Sequence, residues 1–95
     1  MKTRFYNLKN KFILITGSEG ILGKELVNTF CEQESKLILI DLIKEPEEYK
    51  RNKNINYFKI DISNELEIKK LSNKIIKITN TIDVLINNAA TKTNS

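Results

Sequence analysis

The sequence predicts an α/β fold, a doubly wound parallel sheet, and three observations predict it. Four short apolar runs, mostly β-branched and not strictly alternating, read as strands covered by helices on both faces. Segments of helical period separate these runs. All three glycines of the 95-residue chain lie between the first run and the first helical segment, in Thr16-Gly17-Ser18-Glu19-Gly20-Ile21-Leu22-Gly23.

The first strand is expected over Lys11–Thr16, whose centre is Phe12-Ile13-Leu14-Ile15. The glycine turn follows. One glycine there permits a positive φ, one lets the backbone approach a pyrophosphate, and one lets the helix pack closely on the strand. The first helix is expected over Gly20–Glu34, with Leu22, Leu26 and Phe30 on one face. Its free N–H groups and positive dipole end would face an anion. The second strand is Lys36–Asp41. The charged connection Leu42–Asn54 holds the single proline, Pro46, with room for one helical turn at Glu47–Lys50. The third strand is Ile55–Asp61. A second long helix over Ser63–Thr79 carries Ile68, Leu71, Ile75 and Ile78 at steps of three, four and three, can be capped by Ser63 or Asn64, and has Glu65 and Glu67 in its first turn. The fourth strand is Ile82–Asn87. Right-handed crossovers give the strand order 3-2-1-4, one half of a Rossmann-type sheet in a single domain over residues 1–95.

Composition narrows the chemistry. The net charge of +4 comes from scattered lysines and two arginines, Arg4 and Arg51, so no nucleic-acid partner is expected. Fourteen lysines, fifteen isoleucines and twelve asparagines point instead to A/T-rich codon use. No run approaches the ~20 apolar residues of a membrane span, and no apolar signal region follows the first charges. No membrane partner is expected, and cytoplasm is the default compartment. A single cysteine, Cys31, excludes an internal disulfide and a cysteine metal cluster. With no histidine, Ser-His, Cys-His and His-metal chemistry are unavailable within these residues. No metal site is expected.

Further residues stand where a dinucleotide would meet them. Asp41 ends the second strand eighteen residues after Gly23, where a carboxylate can accept hydrogen bonds from a ribose diol. It would repel a 2′-phosphate, and Leu42 follows rather than a base, so NAD is favoured over NADP. The plainer alternative is a strand-ending turn residue. Asp61 follows the third strand and could meet the adenine amino group while Ile62 lines the adenine pocket; alternatively Asp61 only helps cap the next helix. Asn87-Asn88-Ala89-Ala90 closes the fourth strand. Its small residues admit a ligand close to the backbone, and an asparagine can bridge neighbouring strands.

These motifs, in this order, resemble the short-chain dehydrogenase/reductase family. Leu8–Gly17 is similar to the family's opening strand, Thr16–Gly23 to its cofactor turn, Asp41 to its NAD-selecting acid, Asp61-Ile62 to its adenine pair and Asn87–Ala90 to its Asn-Asn-Ala-Gly element. The resemblance implies cofactor contacts from Gly17, Ser18, Glu19, Gly20, Ile21, Leu22, Gly23, Asp41, Asp61, Ile62, Asn88, Ala89 and Ala90. Two features depart from the usual pattern. The glycine spacing, T-G-x-x-G-x-x-G, is more usual in the extended branch acting on nucleotide sugars, whereas the Asn-Asn-Ala element resembles the compact branch. Ala90 replaces a glycine. A sugar-type substrate is one implication.

The family reaction is hydride transfer between a nicotinamide and an alcohol or carbonyl carbon, run by a Ser, a Tyr and a Lys beyond the Asn-Asn-Ala element. The sequence stops at Ser95, so no catalytic residue is expected within it, and alone it should not turn over. Tyr49 and Lys53 have the Tyr-x-x-x-Lys spacing but lie at the adenosine end; that segment is expected as a solvated loop. A truncated dehydrogenase is the first expectation. The alternative is a nucleotide-binding or interaction subunit completed by a partner chain, or by self-association through the exposed fourth strand.

Overall fold

A computed structural model describes residues 7–89. The elements follow in the order β1 (Phe12–Thr16), α1 (Ile21–Glu32), β2 (Lys36–Asp41), α2 (Glu47–Lys50), β3 (Ile55–Lys59), α3 (Glu65–Ile78) and β4 (Val84–Asn87). All strand pairs are parallel, and the sheet order is β3-β2-β1-β4, the Rossmann-type order expected.

The register explains the core. Ile13 stands opposite Leu37 and Val84, and Ile15 opposite Leu39 and Ile86; Leu37 and Leu39 in turn meet Ile55 and Tyr57. With a side-chain period of two, these residues share one face. They form one cluster with Val27 of α1 and Tyr49 of α2, and Leu26, Phe30 and Cys31 pack against it. Ile38 and Ile40 alternate to the opposite face, where they are also buried. A right-handed β3-to-β4 crossover puts α3 on that second face.

Several boundaries differ from expectation. α1 buries Gly23 and Val27, while Leu22 is 59% exposed, so the buried stripe lies one residue further along than the Leu22 spacing implies. α1 ends at Glu32 rather than Glu34. Ser35 N–H donates to the Phe30 carbonyl and Glu34 N–H to the Cys31 carbonyl, with Glu34 at φ 58°. This is a Schellman stop, usually marked by glycine; a glutamate in the left-handed position hides it from the sequence. α3 begins at Glu65 because Asn64 takes the cap, its Oδ1 accepting from the N–H groups of Leu66 and Glu67. β3 stops at Lys59 and β4 starts at Val84. Just before β4, the Asp83 carboxylate accepts from Phe12 N–H at 2.8 Å, closing the start of the β1–β4 pair.

β4 pairs with β1 alone among the described residues, and Leu85 on it is 66% exposed. No helix among the described residues is long and apolar enough to cross a membrane.

Candidate functional site

The carboxyl ends of the four strands open into one cleft of about 760 Å³. In a parallel sheet this is where strand order reverses and ligands bind. Gly17, Glu19 and Gly20 come from the glycine turn, Asp41 with Leu42 and Ile43 from the end of β2, Asp61, Ile62 and Ser63 from beyond β3, and Asn88 and Ala89 from beyond β4. Gly17 and Asn88, 71 positions apart in sequence, thus share one wall.

The turn is held from both sides. Gly17 N–H donates to the Ile40 carbonyl of β2 at 2.8 Å, and the Asn88 side-chain amide donates to the Gly17 carbonyl at 3.1 Å. Gly17 has φ +69°, and a Cβ there would lie 3.0 Å from the Ala89 backbone. The Thr16 hydroxyl donates to Asn87 Oδ1 at 2.9 Å and accepts from Ala89 N–H at 3.1 Å. An asparagine does bridge neighbouring strands here, and it is Asn87.

The glycines divide their work. A Cβ on Gly23 would overlap the Gly17 carbonyl oxygen and come within 2.8 Å of Ser18 backbone atoms, so this position makes the tight helix–turn contact. A Cβ on Gly20 would meet only the Gly17 oxygen, at 3.6 Å, and would otherwise point into open space. Gly20 therefore leaves room for something other than protein.

The two long helices begin differently. α3 has its asparagine cap and two glutamates in the first turn. α1 has a glycine N-cap, no side-chain cap bond and no acid in the first turn. The first N–H groups of α1 are thus left for an external acceptor, at the positive end of its dipole.

Asp41 already carries bonds. Its Oδ2 accepts from Glu19 N–H at 3.0 Å, and its Oδ1 accepts from the N–H groups of Leu42 at 2.6 Å and Ile43 at 3.4 Å. The carboxylate ties β2 to the glycine turn, and with about four lone-pair sites it keeps acceptor capacity toward the cleft. Asp61 is also engaged: its Oδ1 accepts from Ser63 N–H and Ser63 Oγ–H, at 2.9 and 2.7 Å. These two bonds hold its carboxyl below the usual range. Asp61 thus serves the turn before α3, while Asn64 is the cap itself.

Not every expected residue faces the cleft. Ser18 is fully buried beneath the turn, and Gly23 is buried against it. Ile21, 93% exposed, and Leu22 stand on the first turn of α1 outside the cleft wall. Ala90 lies outside the described residues. Among the described residues, no group of three His, Cys, Asp or Glu side chains is placed to hold a metal ion.

Tyr49 overturns an expectation. It is not part of a solvated loop: it is 8% exposed, belongs to the core cluster, and its hydroxyl donates to both Glu19 carboxylate oxygens, at 3.1 and 3.0 Å. Helix α2 ends at Lys50, so Tyr49 and Lys53 do not share a helix face. The sequence signal was present, since Tyr49 is the one large apolar side chain in a run of charged residues.

Tyr57 donates to the Ile43 carbonyl at 2.7 Å and so fixes the loop flooring the cleft. Burial, then the charges of Asp41, Glu19 and Glu45, push its pKa from 10.0 up to about 12. The shift favours the neutral phenol in the folded chain. Its stabilisation is complete below pH 10 and lost as pH rises through about 12. Tyr49 is shifted in the same direction. Thermal melts between pH 8 and 12 should show stability falling above pH 10, and less steeply in Tyr57→Phe. Identical profiles for the two proteins would rule out this role for Tyr57.

Comparison with known proteins accords with this geometry. The family profile described as short chain dehydrogenase matches residues 11–95. An uncharacterized oxidoreductase of Staphylococcus saprophyticus is 31% identical over 87 residues, covering 87% of this chain and 35% of the relative. A short chain dehydrogenase of Leptospira borgpetersenii, solved with bound NAD+, superposes with TM-score 0.80 at 30% identity, over 92% of this chain and 34% of that one. ElxO, solved with NADP bound, gives TM-score 0.74 at 26% identity, over 90% of this chain and 37% of that one. The chain spans about a third of the length of these relatives.

Proposed function

From the premise that the chain belongs to the short-chain dehydrogenase family, a family of NAD(P)-dependent oxidoreductases, we propose that residues 1–95 are the adenosine- and pyrophosphate-binding half of a nicotinamide dinucleotide site. The observation that carries this reading is the uncapped start of α1, opening on a cleft whose rim holds Asp41. The N–H groups that begin α1, from Ile21 onward, take the pyrophosphate, since Gly20 N–H already donates to the Gly17 carbonyl at 3.3 Å, and the open space beside Gly20 accommodates it. Asp41 accepts from the ribose diol while still holding Glu19 N–H. Ile62, with Leu42 and Ile43, flanks the adenine, and the unbonded oxygen of Asp61 meets its amino group. Asn88 and Ala89 form the wall nearest the nicotinamide side. Gly17, Ser18 and Gly23 shape the turn from beneath, and Ile21 and Leu22 border it on α1.

The nicotinamide, when bound, supplies or accepts the hydride. The side chains described here bind and orient the adenosine and pyrophosphate part of the dinucleotide, and none is placed to move a proton from a substrate. Ser, Tyr and Lys for that step are supplied from outside these residues, in the same polypeptide or in a partner. The exposed Leu85 on β4 favours completion by further strands. A substrate of sugar type remains part of the proposal.

Calorimetric titration with NAD, using NADP as control, tests the site. NAD should bind at least about 10-fold more tightly, a difference of about 1.4 kcal/mol. Equal affinities would undercut the part given to Asp41. Binding of neither would overturn the site. Hydride transfer by the purified 95-residue chain would refute the proposed division of labour.

A further inference from the structure

Glu19 is an unexpected residue to find held rigidly in a turn meant for an anion. Its carboxylate accepts from Ser18 Oγ–H at 2.8 Å and from the Tyr49 hydroxyl at 3.0 Å, while its N–H donates to Asp41 at 3.0 Å. Both donors to the carboxylate are buried: Ser18 is fully enclosed, and Tyr49 is packed in the core with its ring centroid 5.9 Å from that of Tyr57. A glutamate at such a turn would ordinarily swing into water. Here two fixed hydroxyls keep it at the wall of the cleft, next to Asp41. Placing like charges together is unfavourable, and Tyr57 feels both of them together with Glu45. The second carboxylate adds nothing to binding a pyrophosphate.

We propose that Glu19 is a second specificity-determining residue of the cleft, excluding a phosphate from the adenosine ribose, and that Tyr49 is its positioning residue. The inference rests on the reading of the cleft as a dinucleotide site. A ribose diol can donate to a carboxylate. A ribose phosphate offers about two negative charges and little to donate, and it would meet two carboxylates instead of one. The glycine turn itself then takes part in choosing the cofactor, through a tyrosine thirty residues further along.

The test is the ratio of NADP to NAD affinity, measured by calorimetry. Glu19→Gln keeps the size of the side chain and the N–H bond to Asp41 while removing the charge. It should raise NADP affinity relative to NAD by about 10-fold. Tyr49→Phe frees the Glu19 carboxylate and should shift the ratio in the same direction by less. In the unaltered chain, raising the salt concentration should narrow the gap between the cofactors. If Glu19→Gln weakens both dinucleotides equally, Glu19 is only a brace and the inference falls while the site stands. If that variant does not fold, an unaltered chain whose NADP-to-NAD ratio ignores salt overturns the inference on its own. A chain that binds neither dinucleotide overturns both the site and the inference.

Discussion

Gly23→Ala should cost this chain about 3 kcal/mol and lower its melting temperature by about 15 °C. Two effects oppose each other at this position. Gly23 is the third residue of α1, and helix propensity alone favours alanine by about 1 kcal/mol. The added methyl, however, would overlap the Gly17 carbonyl oxygen and crowd Ser18 backbone atoms at 2.7 and 2.8 Å. These neighbours are backbone and cannot rotate away. Gly17 is pinned by Ile40 and Asn88, so the turn cannot shift without breaking its bonds to β2 and to the segment after β4. A domain of this size has a total stability of about 5–10 kcal/mol, so the loss is a large fraction. Circular dichroism melts check it. A Gly23→Ala protein melting within a few degrees of the parent would mean that the turn is far softer than its bonding implies.

The same measurement on Gly20→Ala should give a small change, within about 1 kcal/mol, the loss of a glycine N-cap being its main cost. Gly20 has an extended backbone, φ −75° and ψ 176°, open to any residue. Its effect belongs in dinucleotide binding, because the methyl takes up space that the protein leaves empty.

What the sequence revealed, and what it concealed, follows from range. β2 was legible to the residue because its apolar run is bracketed by Lys36 and Asp41, and burial on both faces removes ambiguity of period. The strand order followed from crossover handedness once the elements were known. The helix stop at Glu34 was not legible, because the left-handed position carries glutamate instead of glycine. Leu22 misled because its spacing to Leu26 and Phe30 is as helical as that of Gly23 to Val27. Hydrophobicity could not reveal that the close approach selects a glycine as the buried residue. At the site, residue types and strand ends marked Asp41, Asp61 and Asn88. Their bonds did not show, because each joins or competes with backbone groups placed by the fold. Glu19 and Tyr49 met for the same reason only in three dimensions: one lies in the turn, the other on a four-residue helix, and nothing local couples them. The Asp83 clamp on Phe12 is a contact of 71 residues and had no sequence signal.

Asp41→Ala should weaken NAD binding by about 10- to 100-fold, since hydrogen bonds to charged groups contribute about 1.5–3 kcal/mol each. Asp41 has two separable roles. The carboxylate holds Glu19 N–H in place, and so holds the shape of the glycine turn. In the proposed site it also presents a negative acceptor to the ribose. Asp41→Ala removes both, so amide exchange at Glu19 should accelerate alongside the loss of affinity. Asp41→Asn is not a mild version of this change. Asp41 accepts N–H groups on both oxygens, from Glu19 on one side and from Leu42 and Ile43 on the other. An amide NH2 must therefore face a donor on one side whichever way it is turned. Asp41→Asn should fall nearer to alanine than to the parent in NAD affinity, and both variants should narrow the preference for NAD over NADP. Retention of NAD affinity within twofold in Asp41→Ala would show that the carboxylate serves the turn alone. Discrimination between the cofactors would then fall to Glu19.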